Sequence, residues 1–339
     1  MSRTTLLLKA LIFRTLQQIY TFLDLYLSRP LPQRVSYTRK IPTTISPIPG
    51  SINLLFYTPP SYSTHPAPKK ASVRPSPTPT KKHPLLINFH GGGFTIGHSH
   101  DDARWFTAVT SSTSAVVCSV NYRLAPRFPF PTGIEDCVSA ILWLWKHGDE
   151  LNLDISRTAL SGFSAGGNFC YAVSIRLHEE LEKMRKEGKM EGIEEGKIVS
   201  LIVFYGSVDN HLTRAERDAS NPDLIPSIPH FLFRLFDESY LYPRPDMRIP
   251  LLSPGIASDE VLKSALPGNL VLISCRGDQL LKETERFRER LGRLGKRVGG
   301  YVVEGVGHGW DKKPTFGKGD VKRDEAYGAA VKSLQEVWS

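Results

Sequence analysis

Ser164 stands in Gly162-Phe163-Ser164-Ala165-Gly166, a Gly-x-Ser-x-Gly pattern whose flanks carry as much information as the motif. Thr158-Ala159-Leu160 before it reads as a short buried strand, and Phe169 to Leu177 after it as a mostly apolar helix. A serine at such a strand-to-helix turn is held in a cramped backbone conformation. Gly162 and Gly166 lack a Cβ, so the two segments can approach each other across the turn. The hydroxyl then points out above the sheet, over the free N–H groups of the helix N-terminus. A serine hydroxyl is a weak nucleophile at neutral pH and needs a base within hydrogen-bond reach, itself oriented by an acid. His308, in the glycine-rich stretch Gly305-Val306-Gly307-His308-Gly309-Trp310, is the base expected here. Asp278, in Cys275-Arg276-Gly277-Asp278 directly after a buried strand, is the expected acid, with Asp209 as a rival. His90-Gly91-Gly92-Gly93 offers consecutive backbone N–H groups to a developing oxyanion without side chains in the way, and the N–H of Ala165 adds one more. No Walker-type lysine follows those glycines, which argues against a phosphate cradle.

The elements that must position these residues follow from the apolar pattern. Short strands are expected at 51–57, 85–89, 115–120, 158–160, 198–205, 270–275 and 300–303, and helices at 134–147, 169–177, 283–294 and 321–337. Alternation of short apolar strands with helices implies a mostly parallel sheet covered on both faces. Chemistry in such sheets gathers beyond the carboxyl ends of the strands, where His90, Ser164, Asp278 and His308 all fall. Residues 58–84 carry many prolines with Ser, Thr and Lys and read as a surface insertion, and 177–197 as a charged helical extension. From 209 to 250 the pattern is irregular, with Pro222, Pro226, Pro229, Pro243 and Pro245 around an aromatic patch at 231–236.

Residues 5–27 form an amphipathic helix in the reading at period 3.6. Ala10, Arg14, Gln17, Thr21, Asp24 and Ser28 make a narrow polar stripe, and Leu8, Leu11, Ile12, Leu16, Ile19, Leu23 and Tyr26 a broad apolar face. That face needs a cover, either the body of the same protein or a membrane surface. The helix is too interrupted by polar residues to span a bilayer.

The chain of 339 residues carries a formal net charge of +9. Its basic pairs are scattered and not interleaved with aromatics, so nucleic acid is not an expected partner. The four cysteines (Cys118, Cys137, Cys170 and Cys275) sit in apolar runs with no disulfide or metal-ligand spacing, and no Asn-x-Ser/Thr acceptor occurs. Both features favour an intracellular, cytoplasmic protein, peripheral to a membrane if the first helix lies on one.

With these residues assembled, the chain resembles the hormone-sensitive-lipase-like branch of the α/β-hydrolase esterases. The resemblance rests on His90-Gly91-Gly92-Gly93, Asn121-Tyr122-Arg123-Leu124-Ala125-Pro126, Gly162 to Asn168, Asp278 with Leu280, and His308 with Gly309. Serine, acid and histidine also follow one another in the chain order of that fold's triad. The resemblance implies an α/β-hydrolase fold, with a mostly parallel central sheet, helices on both faces and a helical cap. It divides the chain into an N-terminal helix and cap segment over residues 1–50 and a hydrolase domain over 51–339, with a cap insertion near 209–250. It further implies a serine carboxylic-ester hydrolase without metal or organic cofactor, acting through an acyl-enzyme on a small-molecule ester, and the aromatic residues Phe231, Phe233, Phe236 and Tyr240 with the apolar N-terminal helix favour a hydrophobic one. By similarity Gly92, Gly93 and Ala165 are the chief oxyanion donors, with Gly91 beside them. A deacetylase or acyltransferase would use the same residues, and a receptor on this scaffold would lose the histidine that this chain keeps. Three positions depart from the pattern: Phe163 stands where an acidic residue is usual, Arg127 where Glu is usual, and Lys282 where a second Asp often follows.

Overall fold

The computed structural model describes residues 1–62, 82–189 and 195–339. The strands are β1 (Tyr37–Pro42), β2 (Ser51–Tyr57), β3 (His83–Phe89), β4 (Val116–Asn121), β5 (Leu153–Phe163), β6 (Ile198–Phe204), β7 (Asn269–Cys275), β8 (Arg297–Gly299) and β9 (Val302–Val303). They form one sheet in the order β1-β2-β4-β3-β5-β6-β7-β8, with β9 beside the carboxyl end of β7. Only the β1–β2 and β2–β4 pairings are antiparallel among these strands. The sheet is therefore mostly parallel, and β3 lies directly beside β5, as the placement of the glycine loop next to the serine requires.

The helices are α1 (Arg3–Leu27), α2 (Ala103–Ser112), α3 (Thr132–Lys146), α4 (Ala165–Lys186), α5 (Arg214–Ser220), α6 (His230–Tyr240), α7 (Asp259–Ala265), α8 (Leu281–Arg293) and α9 (Val321–Trp338). Side chains alternate across a strand, so each buried strand feeds two cores. Leu85, Ile87 and Phe89 pack with α3, α4 and α8 on one face, whereas Leu86 packs with α2 and α9 on the other. The strand interiors are apolar on both sides for this reason, which is why they read as continuous runs. The four cysteines are buried free thiols.

The expected strands and helices of the core are present, except that the single strand expected at 300–303 is confined to Val302–Val303, with β8 just before it at Arg297–Gly299. The irregular stretch 209–250 instead contains two helices, α5 and α6. α5 opens on a capping box, in which Thr213 Oγ1 accepts the Glu216 N–H and the Glu216 carboxylate accepts the Thr213 N–H. α2 and β1 were also absent from the pattern reading. Most of the proline-rich stretch expected at 58–84, and part of the charged extension at 177–197, lie outside the described residues.

α1 begins at Ser2, whose hydroxyl accepts the Thr5 N–H. It does lie on the body of the protein, but the face it turns inward is the polar one. Ala10, Thr21, Asp24 and Ser28 are buried, and Arg14 donates to the carbonyls of Thr95 (2.9 Å) and Ala125 (2.7 Å). Asp24 forms a buried ion pair with Arg104 of α2 (2.9 Å), whose guanidinium also reaches the Asp24 carbonyl. The broad apolar face, from Leu8 to Tyr26, is turned outward and stays largely exposed. Of the two covers expected for that face, the body of the protein is thus not the one, because the stripe's charged groups find buried partners there that satisfy them. No helix among the described residues is long and apolar enough to cross a membrane.

Candidate active site

β5 ends at Phe163 and α4 begins at Ala165, which leaves Ser164 alone at the turn with φ 54° and ψ −116°. That conformation is strained for a residue with a side chain, and its surroundings hold it there. The Ser164 N–H donates to the Phe204 carbonyl (3.0 Å), and the Ser164 carbonyl accepts the Asn168 N–H of the first helical turn (3.1 Å). A methyl group at Gly162 would sit 2.1 Å from the Gly166 carbonyl oxygen, and one at Gly166 would sit 1.9 Å from that of Phe89. Both glycines are therefore required by the close crossing of strand and helix.

The loops after β7 and β9 bring Asp278 and His308 to this turn. His308 Nε2 lies 2.7 Å from Ser164 Oγ, and Nδ1 lies 2.6 Å from Asp278 Oδ2. With Nδ1–H donating to the carboxylate, Nε2 is free to accept the serine proton. Asp278 is almost fully buried and its Oδ1 accepts the Leu280 N–H (3.0 Å). Its loop is pinned by Asn221, whose side-chain amide donates to the carbonyls of Arg276 and Asp278, each at 2.8 Å. The rival Asp209 is elsewhere engaged, its carboxylate accepting the His211 N–H (3.0 Å). Tyr205, just past β6, presents its ring against His308 at 4.8 Å in an edge-on contact.

The glycine loop packs directly against the serine. A methyl at Gly91 would stand 3.6 Å from Ser164 Cβ, and one at Gly93 would run into the Phe236 ring at 2.3 Å. Gly92 and Gly93 adopt φ of 109° and 56°, and the Gly92 carbonyl accepts the N–H groups of Thr95 and Ile96. His90 anchors the loop from beneath. Its Nδ1–H donates to the Gly91 carbonyl (2.8 Å), its ring stacks on Tyr122 at 4.2 Å, and the Tyr122 hydroxyl donates to the His90 carbonyl (2.7 Å). Arg14 of α1 holds the next part of the loop through the Thr95 carbonyl.

Burial drives the His90 imidazole down from its ordinary 6.5 to about 3, against the opposing pull of the Gly91 carbonyl. The unfolded chain takes up this proton first as the pH falls, so His90 costs stability progressively from about pH 6.5 down towards pH 3. An NMR titration is expected to find His90 still neutral at about pH 5, and an inflection near the ordinary histidine value would contradict this burial.

The three departures from the family pattern have different surroundings. Phe163 stacks on Phe204 (4.3 Å, 2°), with Lys312 Nζ 3.7 Å above its ring. Lys312 bridges Asp102 (2.8 Å) and Asp311 (3.1 Å). Burial opposes its charge, but the two carboxylates outweigh burial and hold its ammonium well above the usual lysine range. Asp311 in turn accepts the hydroxyls of Tyr205 (2.5 Å) and Tyr327 (2.7 Å). A cation over an aromatic ring thus occupies the ground behind the serine where the family usually places an acid. Lys282 is exposed, and its neighbour Glu283 is buried. Glu283 accepts the N–H groups of Val208 (2.8 Å) and Asp209 (3.2 Å) and pairs with Arg217 of α5 (2.9 Å), tying α8 to the cap. Arg127 is exposed, with its guanidinium over Phe128.

Ser164 and His308 open onto a cavity of about 980 Å³. Gly91, Gly92 and Gly93 line one side, and Phe13, Leu16 and Tyr20 of α1 with Leu232, Phe233 and Phe236 of α6 line much of the rest. Both segments expected to form the cap, the N-terminal helix and the 209–250 stretch, contribute to its wall. Tyr205, Lys312 and Asn221 belong to no motif in the sequence, and Asn168, the last residue of the motif around Ser164, carried no sign there of its own role. Asn168, for example, donates its side-chain amide to the carbonyls of Ser207 and Leu252 and so braces the loops after β6.

A family profile described as the α/β-hydrolase fold matches residues 86–312, more than half of the chain. The chain is 27% identical over 240 residues to an arylesterase of Saccharolobus solfataricus, covering 70% of this chain and 72% of that protein. It is 37% identical over 103 residues to the hormone-sensitive lipase of Homo sapiens, covering 30% of this chain and 10% of the lipase. Other curated relatives are matched over 54% to 62% of their length. Among solved structures, a thermostable carboxylesterase cloned from a metagenomic library superposes with a TM-score of 0.70 at 25% identity, over 100% of this chain and 98% of that one. The chain belongs to the α/β-hydrolase-fold family, in its hormone-sensitive-lipase-like esterase branch.

Proposed function

We propose that the protein hydrolyses a carboxylic ester with a hydrophobic acyl group through an acyl-enzyme on Ser164. The observation that carries this reading is the unbroken hydrogen-bonded chain Asp278–His308–Ser164 opening onto an apolar cavity. In the first half-reaction Ser164 Oγ attacks the ester carbonyl carbon while its proton passes to His308 Nε2. The carbonyl electrons move onto oxygen, and the N–H groups of Gly92, Gly93 and Ala165, with Gly91 beside them, stabilise that oxyanion. Each such donor contributes roughly 10²–10³ in rate. The tetrahedral adduct collapses by breaking the bond to the alcohol oxygen, which takes the proton from His308. In the second half-reaction a water attacks the acyl carbon while its proton passes to His308 Nε2, and the tetrahedral adduct collapses by breaking the bond to Ser164 Oγ, which takes that proton back as the carboxylic acid leaves. Asp278 keeps the imidazole in the tautomer this needs and stabilises the imidazolium that forms.

The apolar wall built by α1 and α6 favours esters with more than a minimal acyl group, since each methylene that leaves water for such a wall contributes about 0.8 kcal/mol. Release of p-nitrophenol from esters of increasing acyl length is expected to give kcat/KM values that rise from the acetyl ester to a maximum at longer chains. A folded protein with no turnover at any length would overturn the reading, and a steady decline from acetyl onwards would overturn the hydrophobic acyl specificity.

A further inference from the structure

α1 is an amphipathic helix mounted inside out, and this gives the molecule an unusual surface. At 1.5 Å per residue its 25 residues run about 37 Å across the protein. Arg14, Thr21 and Asp24 point inward and are held, while Leu8 (60% exposed), Ile12, Ile19 (54%), Phe22 (56%) and Tyr26 stand outward along one face. Exposed Phe231 of α6 extends that apolar row, its ring 5.6 Å from Phe13. At the far end the loop 313–318 is bound to α1, with the Gly317 N–H donating to the Leu27 carbonyl and the Thr315 N–H to the Ser28 hydroxyl. That loop displays Phe316, 67% exposed and at a positive φ of 45°. A contiguous apolar surface of this kind on a folded protein marks something that binds there.

Charge identifies the occupant. Residues 1–40, which hold α1 and the segment after it, contain seven Lys and Arg against one carboxylate, Asp24, which is buried against Arg104. Lys9 is exposed on α1 itself, Arg29 and Arg34 follow its end, and Lys313 and Lys318 flank Phe316. The acids nearby are engaged, Glu238 with Arg234 and Asp324 with Arg323. A second copy of the chain laid on this face would bring the cationic ends of the two helices into opposition. An anionic lipid surface would accept the apolar row and the cations together.

We propose that the exposed face of α1, with Phe231 and Phe316, docks the protein on the surface of an anionic membrane. α1 would lie in the plane of the interface, its outward side chains among the upper acyl chains and its cations at the headgroups. Phe13, Leu16 and Tyr20 line the cavity from the same helix, so docking would set the cavity mouth beside the lipid. The docking rests on the surface alone and not on the esterase reading.

The test is co-sedimentation of the full chain with phosphatidylcholine vesicles, with and without phosphatidylserine. The wild type is expected to bind the phosphatidylserine vesicles and to release them as salt is raised. The double substitution Ile12→Glu with Ile19→Glu, at positions outside the cavity wall, is expected to weaken binding at least about tenfold. Its far-ultraviolet circular dichroism and Tm should remain those of the wild type. Failure of the wild type to bind anionic vesicles, or equal binding by the double variant, would overturn the proposal. So would a wild-type dimer in gel filtration that the double variant splits and that ignores vesicles, because the face would then be an interface between copies.

Discussion

Replacing His308 by alanine is expected to lower kcat for ester hydrolysis by about four to six orders of magnitude, with KM changed only a few-fold. The histidine has two hydrogen bonds, one to Ser164 and one to Asp278, and both are made from the ring that the substitution deletes. Without it the serine hydroxyl has no acceptor for its proton and the leaving alkoxide has no donor. The residue lies in a loop beyond the last strand, so the sheet and its two cores are left intact. The companion substitution Asp278→Asn retains the shape of the site and loses the carboxylate that selects the tautomer, and its expected cost is about 10⁴ in kcat. Asp209→Asn should change kcat little, since Asp209 meets a backbone N–H in the cap and not His308. Steady-state kinetics on a p-nitrophenyl ester, with thermal melts as the control for folding, distinguish these results. Near-normal turnover by the His308 variant would remove it from the proposed mechanism.

The second large effect concerns stability. Gly166→Ala is expected to destabilise the fold by more than about 3 kcal/mol and to abolish turnover with it. The added methyl would lie 1.9 Å from the Phe89 carbonyl oxygen and 2.7 Å from that of His90. Both obstacles are backbone atoms at the end of a central strand, so neither can rotate away. Relief would require α4 to lift from β3, which would move Ser164 and the glycine loop apart. A same-chemistry control exists in α9, where a methyl at the exposed Gly328 meets nothing within 4 Å. Gly328→Ala should stabilise the protein by about 0.5–1 kcal/mol through helix propensity. Urea unfolding midpoints of the two variants are expected to move in opposite directions. A Gly166→Ala protein as stable as the wild type would contradict the packing described for this turn.

The core elements were legible in the sequence because both faces of the inner strands are buried, which leaves runs such as Leu85 to Phe89 without polar interruption. The glycines around Ser164 were legible for a related reason, as close backbone crossings tolerate no other residue. The cap was less so. Prolines on either side, at 222, 226 and 229 and again at 243 and 245, obscured α6, although Leu232, Phe236 and Tyr240 recur at helical spacing and Thr213 to Glu216 has a capping-box pattern. The direction in which α1 faces was not legible at all. Periodicity separates a polar stripe from an apolar face, but it does not say which one the protein will bury. That depended on partners distant in sequence: the Thr95 and Ala125 carbonyls for Arg14, and Arg104 for Asp24. The same limit applies to Phe163. Its departure from the family pattern made sense only once Lys312, some 150 residues later, was found above its ring.

The central claim is that Ser164 forms a covalent acyl-enzyme, and covalent capture tests it most directly. An activated alkyl phosphonate ester should phosphonylate one residue, seen as a single mass addition to the intact chain and mapped to the peptide containing Ser164. Ser164→Ala should take up no label and turn over no ester while melting within a few degrees of the wild type. A label on another residue, or equal hydrolysis by the folded Ser164→Ala protein, would contradict the account.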